Sequence, residues 1–326
     1  MQFFTNIFIK PIEPAITYHD NLLLVGSCFT EHIGNYLRDV KFNVLQNPNG
    51  ILFDPISVAS SLISYIENKQ YLPSELFYLN EAWHSWHHHS RFSGINKQAV
   101  LDGINQSQQT AHEFLKEANW LIVTLGSSFG YKLVENNQPV ANCHKAPAQT
   151  FTKHLFTIEE TIAALESAFV LLFQFNPHIK VMLTISPVRH LRDGVVDNNR
   201  SKARLIEAVH HLAGKFGQIS YFPAYELVID VLRDYRFFDI DLAHPNYAAT
   251  QFVLEKFAES CCSEATRQLM EDIKKLVTAS NHKAFNPASN QHRQFLDAQL
   301  KKAVQMKQQY PYLNIEKEIN CFKKEV

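Results

Sequence analysis

The sequence predicts a three-layer α/β/α fold, a parallel sheet with helices on both faces. Short, mostly apolar runs at 21–25, 120–125 and 180–185 read as buried strands. Helical periodicity separates them, and the first two stop at a glycine, Gly26 and Gly126. A strand that is apolar on both faces must be covered on both, and parallel strands need a crossover, usually helical, between them.

The elements follow in order. Strand 21–25 leads through Gly26 into a helical pattern with Ile33, Tyr36 and Leu37 on one face. A second strand at 42–45 ends in the turn Asn47-Pro48-Asn49-Gly50. Pro55 then opens a helix through Ser57, Ser60, Leu62 and Ile63, because its fixed φ and missing N–H suit a first helical turn. Residues 71–92 are rich in aromatics and histidine without clear periodicity, and are expected to form a short hairpin or irregular insertion. Helix 107–118, strand 120–125, helix 158–173, strand 180–185, helix 202–215 and strand 219–222 complete the alternation, followed by helices at 226–234 and 247–261. Two more helices, 264–278 and 289–308, flank the Asn286-Pro287 break.

Composition narrows the class. The chain has 326 residues, 46% of them hydrophobic, enough to bury a large core. With 31 basic and 32 acidic side chains it lacks the basic excess that nucleic acid binding normally requires. From residue 263 onward there are 11 Lys/Arg against 7 Asp/Glu, a mild bias that reads as a solvated helical face. No stretch is apolar and long enough to span a bilayer, and no leader pattern stands at the start. Cys28, Cys143, Cys261, Cys262 and Cys321 are odd in number and show no paired framework. A cytoplasmic protein with free thiols is expected, contacting neither membrane nor nucleic acid.

In parallel sheets reactive groups gather at the carboxyl ends of the strands. Gly26-Ser27-Cys28 and Gly126-Ser127-Ser128 both stand at such ends. A small nucleophile at a helix start meets free N–H groups and the positive end of the macrodipole, which favour a thiolate and a developing oxyanion. The same turn can equally hold a buried structural thiol. Far along the chain, Asp241-x-x-His244-Pro245 lets a carboxylate fold back onto Nδ1 of the imidazole, leaving Nε2 to take a proton from a nucleophile. In isolation the pattern reads equally well as a helix cap.

Gly26-Ser27-Cys28-Phe29-Thr30 resembles the motif that names the GSCFA family, a relative of the SGNH/GDSL hydrolases. The similarity extends to the 47–55 block, Trp83-His84-Ser85-Trp86, Thr124-Leu125-Gly126-Ser127, Asn142-Cys143-His144-Lys145, the 186–190 block, Ser201-Lys202-Ala203, Tyr221-Phe222-Pro223 and the 241–245 block. It runs from near the start to about residue 260. The resemblance implies a flavodoxin-like, SGNH hydrolase-like α/β domain at 1–262 with a C-terminal helical extension at 263–326. It aligns Cys28 with the catalytic serine of that superfamily, Ser27 with the preceding aspartate, and Asp241 and His244 with the terminal Asp-x-x-His. Gly50 becomes a candidate oxyanion glycine. The superfamily's Gly-x-Asn-Asp block corresponds to Gly126-Ser127-Ser128-Phe129, so its asparagine is missing; Asn142 can supply an amide instead, or Ser127 a hydroxyl. Cys28 is favoured over Ser27 as nucleophile because position sets reach before ionisation matters.

Three further segments carry two readings each. The run Trp83-His84-Ser85-Trp86-His87-His88-His89 suggests a metal site, but consecutive histidines cannot all face one ion, and an aromatic loop lining the cleft fits better. Asn142 and His144 are turn residues or substrate contacts. Arg189, His190, Arg192 and Lys202 follow strand 180–185 and hold an anionic substrate group, or are solvated loop charges paired with Asp193 or Asp197.

The expected activity is hydrolysis of a small-molecule or carbohydrate ester through a Cys28 (or Ser27)–His244–Asp241 constellation, with no cofactor and no metal. Acyl transfer through a covalent acyl-enzyme is the near alternative. A catalytically silent carbohydrate- or acyl-ligand-binding module of the same fold is the distant one.

Overall fold

The computed structural model describes residues 5–324, which fold as two compact units. Among these residues the larger unit takes 5–10, 21–34 and 44–256; the smaller takes 11–20, 35–43 and 257–324.

Strands β1 (Asn21–Gly26), β2 (Asn43–Gln46), β5 (Trp120–Leu125), β9 (Lys180–Ile185) and β10 (Ile219–Phe222) form one sheet in the order β2-β1-β5-β9-β10. The pairs β1–β5, β5–β9 and β9–β10 are parallel. This is the order of a flavodoxin-like doubly wound sheet, with the chain reversing direction at β1 and β5. Leu22, Leu23, Leu24 and Val25 are all fully buried, so both faces of β1 are covered. On one face Leu23, Leu121, Val123 and Leu183 pack with Leu62, Leu165, Phe169 and Leu205. Those partners come from α2 (Pro55–Ile66), α4 (Ile158–Phe175) and α5 (Val195–Lys215). Helix α1 (Cys28–Asp39) begins immediately beyond β1.

The hairpin expected near 71–92 is present as β3 (Leu76–Leu79) paired antiparallel with β4 (Ala82–Ser85). Helix α3 (Lys97–Glu117) is longer than the expected 107–118, because Asn96 caps it by accepting from the Ala99 N–H at 2.9 Å. Helix α5 likewise begins at Val195, so Lys202 lies inside it. The expected helix at 226–234 is one turn, α6 (Ala224–Glu226), running into a π-helical segment at Leu227–Leu232 that ends on Arg233 with φ 38°. An antiparallel sheet of β6 (Phe129–Leu133), β7 (Pro139–Val140) and β8 (Phe151–Leu155) has no counterpart in the periodicity. Its strands are half-exposed and mix lysine, threonine and histidine, so no apolar run marks them.

Within the larger unit α7 starts at Tyr247, and the helix runs to Cys261. The smaller unit carries α8 (Glu264–Ser280), α9 (Asn290–Gln309) and α10 (Glu316–Lys324). The last of these has no counterpart among the expected elements. There Lys41 and the buried Glu318 form an ion pair at 2.7 Å. Among the described residues no helix is long and apolar enough to cross a membrane.

Candidate active site

Four loops interlock at the carboxyl end of the central sheet, through backbone bonds and one bond to the Asn47 side chain. The Gly26 N–H donates to Asn47 Oδ1 at 2.9 Å, and the Leu52 N–H donates to the Gly26 carbonyl at 3.0 Å. The Ser27 N–H donates to the Thr124 carbonyl at 3.0 Å, while Gly126 and Ser127 both donate to the Phe53 carbonyl. The Ser186 N–H reaches the Leu125 carbonyl at 2.8 Å. The turns after β1, β2, β5 and β9 are thereby held as one rim.

Cys28 is the first residue of α1 and is half-buried, with its thiol free. Burial pushes its pKa up; the Phe29 amide, the Lys202 charge and its own amide pull it down. Ser27 is different. It is buried, and among the described residues its hydroxyl has no hydrogen-bond partner.

Asp241 and His244 join as their spacing predicts. Nδ1 of His244 lies 2.6 Å from Asp241 Oδ2, and Asp241 Oδ1 accepts the N–H groups of Ala243 and His244, each at 3.0 Å. Those bonds hold the Asp241 carboxyl down at about 2, the His244 amide being the largest cause. The Arg189 N–H donates to the Ala243 carbonyl at 3.0 Å, pinning this loop to the segment after β9. The charge of His244 is felt by His32, one turn along α1 from Cys28, and by His190. Among the described residues no hydrogen bond joins His244 to Ser27 or Cys28; its Nε2 is open, and the side chain is exposed.

The model of the GSCFA family matches residues 21–257, which spans every group just described. The chain belongs to the GSCFA family. A second model, for the C-terminal domain of GSCFA domain proteins, matches residues 273–326. No curated protein sequence matches the chain. Among solved structures, an acetyl xylan esterase from the rumen bacterium Butyrivibrio proteoclasticus is similar at 12% identity and a TM-score of 0.35. The similarity covers 75% of this GSCFA chain and 63% of that one.

Beside the rim of this GSCFA protein lies a cavity of about 270 Å³ lined by Phe53, Ser127, Asn142, Cys143, His190 and Arg192, among others. Ser127 is buried and shares a 3.1 Å contact with Ser201, whose hydroxyl also accepts the Ser128 N–H at 2.7 Å. Asn142 Oδ1 accepts the His144 N–H at 2.8 Å, an Asx turn. Burial pushes the Cys143 thiol up to about 11. It also holds His190 down at about 4, with the Lys202 charge acting in the same direction. The Gly50 N–H is engaged in its own turn, donating to the Asn47 carbonyl at 2.7 Å.

Among the described residues Arg189, Arg192 and Lys202 form no ion pair with Asp193 or Asp197. Asp193 pairs with Lys153 and Asp197 with Arg200. Arg189 instead stacks on Phe238 at 4.2 Å and Tyr235 at 5.1 Å, bracing the approach to His244. Lys202 is the residue whose place the sequence conceals. It sits in α5, 1% exposed, and Nζ donates to the carbonyls of Gly126 and Ser186, each at 2.6 Å. Burial lowers its pKa to about 7. The Ser201-Lys202 pair was visible as a family-like block, but nothing local marks a lysine for burial.

His144 turns away from this rim. Its Nε2 meets the Ser85 carbonyl at 2.8 Å, and its ring packs 4.7 Å from His84 and 6.0 Å from Trp86. His88, 1% exposed, pairs Nδ1 with Ser85 Oγ at 2.9 Å, and among the described residues its Nε2 has no hydrogen-bond partner. Among the described residues no three His, Cys, Asp or Glu side chains converge as a metal cluster. Burial holds His88 at about 3 and His144 at about 4, below the about 6.5 of an unfolded histidine. Below pH ~6.5 the unfolded chain therefore binds more protons than the native one, and stability is lost as the pH falls toward the native values. Thermal unfolding between pH 7 and 4 should show a steadily dropping midpoint, and His88→Gln should flatten that slope.

Proposed function

We propose that this chain hydrolyses acyl esters of a small-molecule or carbohydrate alcohol through a covalent intermediate on Cys28. The reading rests on the 2.6 Å Asp241–His244 bond, carried by a loop that Arg189 pins to the strand ends bearing Cys28. Asp241 fixes the tautomer, so Nε2 is the basic nitrogen.

In the proposed cycle Nε2 of His244 takes the Cys28 thiol proton as the sulfur attacks the ester carbonyl, forming a C–S bond, and the tetrahedral oxyanion develops at the start of α1. The N–H groups of Cys28 and Phe29 have no intrahelical partner there and are its natural donors. Gly50 is a poorer donor, its N–H being engaged with Asn47; the Asn142 amide, on the cavity wall, is the remaining candidate. The C–O bond then breaks, and the alcohol leaves with a proton from His244. Water, deprotonated by Nε2, hydrolyses the thioester; an alcohol in its place gives acyl transfer. Among the described residues no hydrogen bond joins Nε2 to the sulfur, and catalytic hydrogen bonds are often long before substrate binds. Cys28 is preferred to Ser27 because the serine hydroxyl is buried.

The open Nε2 also favours a second reading, a binding module that retains the cleft without turnover. Short-chain acyl ester assays separate the two. Catalysis predicts that His244→Ala lowers kcat/KM by roughly 10²–10⁴-fold, and that a thiol-directed acylating probe maps to the Cys28 peptide. A fluorophosphonate label on Ser27 would reverse the choice of nucleophile. Absence of turnover, with ligand binding indifferent to His244→Ala, would leave the module.

A further inference from the structure

A second cavity of about 270 Å³ lies in the larger unit, apart from the one beside the rim. Pro139 stands on its wall and Val140 on the wall of the first, while Ala141 borders both. Consecutive strand residues point to opposite faces, so β7 divides the two. One wall is the face of α2 that carries Ser57, Ser60, Ser61 and Ser64. That spacing, i, i+3, i+4 and i+7, ordinarily marks the apolar stripe a helix turns to its core. Here Val58, Ala59, Leu62 and Tyr65 take that part, and the serines line open space. Serine is a poorer helix former than alanine, so helix stability does not account for four of them on one face.

The buried hydroxyls have already committed their hydrogens. Ser61 donates to the Val58 carbonyl and Ser64 to the Ser61 carbonyl, each at 2.8 Å. The Ser57 hydroxyl donates to the Asp54 carboxyl. Each oxygen is left with a lone pair to offer. Asn49, 2% exposed, stands on the same wall, and among the described residues its Oδ1 has no hydrogen-bond partner. His87 supplies the complementary donor. Gln138 Nε2, which can only donate, lies 3.1 Å from His87 Nε2, so the imidazole proton sits on Nδ1. Burial and the Lys69 charge keep that ring neutral.

This lining selects its ligand. A row of acceptors beside the Glu67 carboxylate disfavours an anion. An organic cation would take the face of the Tyr71 ring, but Lys69 already stands over it at 4.4 Å and pairs with Glu75 at 2.8 Å. An apolar ligand would leave the oxygens desolvated and unbonded. A neutral molecule with several hydroxyl donors satisfies them. The volume is just under the ~300 Å³ at which drug-sized sites begin, which suits one ring and not a chain.

We propose that this cavity binds a neutral sugar ring, whose hydroxyls donate to Ser57, Ser61, Ser64 and Asn49 while His87 Nδ1 donates in return. The site goes beyond the esterase reading, since it requires neither Cys28 nor His244. It also touches the rim: Asn49 belongs to the turn whose Asn47 side chain holds the Gly26 N–H.

The test is saturation-transfer NMR on the full chain with xylose, glucose, galactose and N-acetylglucosamine, followed by titration of the strongest binder. Glucuronate and choline are the anionic and cationic probes. At least one neutral sugar should bind saturably, with neither charged probe displacing it. Ser61→Ala/Ser64→Ala removes two acceptors and should weaken Kd by at least about tenfold. Those hydroxyls donate to carbonyls that the helix ladder already pairs, so the melting midpoint of this variant should hold or rise. Ser60→Tyr fills the cavity from an exposed position and should abolish binding; it decides alone if the double variant does not fold. Absence of binding by all four sugars overturns the proposal, as does binding that the folded variants leave unchanged. Preference for glucuronate or choline overturns the ligand class. Sugar binding here without ester turnover would refute the hydrolase and keep the site; turnover in a protein indifferent to sugars would do the reverse.

Discussion

Replacing Cys28 with alanine is expected to lower turnover of a short-chain acyl ester by on the order of 10⁴-fold or more, the scale seen when a covalent nucleophile is deleted. The thiol is half-buried at the first position of α1 and takes no part in the rim's backbone bonds, so the fold should survive its removal. Steady-state kinetics beside a thermal melt check both halves: kcat collapses and the midpoint stays. Cys28→Ser keeps the reach but not the acidity, and should fall between. Retention of activity in Cys28→Ala with its loss in Ser27→Ala would transfer the chemistry to the serine, despite its burial.

Gly26→Ala should be the most damaging single methyl in the larger unit. At φ 144° the backbone already excludes most side chains, and a Cβ there would lie 2.2 Å from the Thr124 carbonyl oxygen and 2.9 Å from the Thr124 nitrogen. Thr124 cannot yield, because it is the register partner of Gly26 in the β1–β5 ladder and its carbonyl takes the Ser27 N–H. Strain and lost pairing together should cost about 3–5 kcal/mol. A urea melt reads this directly, and much of the expressed chain should be insoluble. Gly103→Ala is the contrasting control. That glycine sits inside α3 with nothing within 4 Å of its added carbon, so the substitution should stabilise by about 0.5–1 kcal/mol. Equal effects at both positions would contradict the account of the Gly26 turn.

The β1 strand, its glycine stop and the helix start at Cys28 were legible because each is a local matter of apolar runs and backbone freedom. The same holds for the Asp241–His244 bond, which spans one turn of chain. The helices expected from 107 and 202 begin at Lys97 and Val195, because single residues set the starts: the Asn96 cap, and Gly194 at φ 84°. The antiparallel sheet of β6, β7 and β8 was not visible, because half-exposed strands tolerate lysine and threonine. For His144 the sequence allows a turn residue or a substrate contact, and only the structure joins its ring to Ser85 and His84, far away in sequence.

By itself the sequence determined the fold class and the parts of the rim: apolar strands ending in glycine, a thiol at a helix start, and an imidazole with its carboxylate. The tertiary structure decided how those parts are wired. It alone sets the strand order, buries Lys202 between the Gly126 and Ser186 carbonyls, and leaves Nε2 of His244 open. The physical reason is range. Propensity and i,i+3 bonding act within one turn of chain, whereas desolvation and the pairing of strand ends depend on partners well beyond it, as with Lys202 and Gly126 (|i−j| = 76).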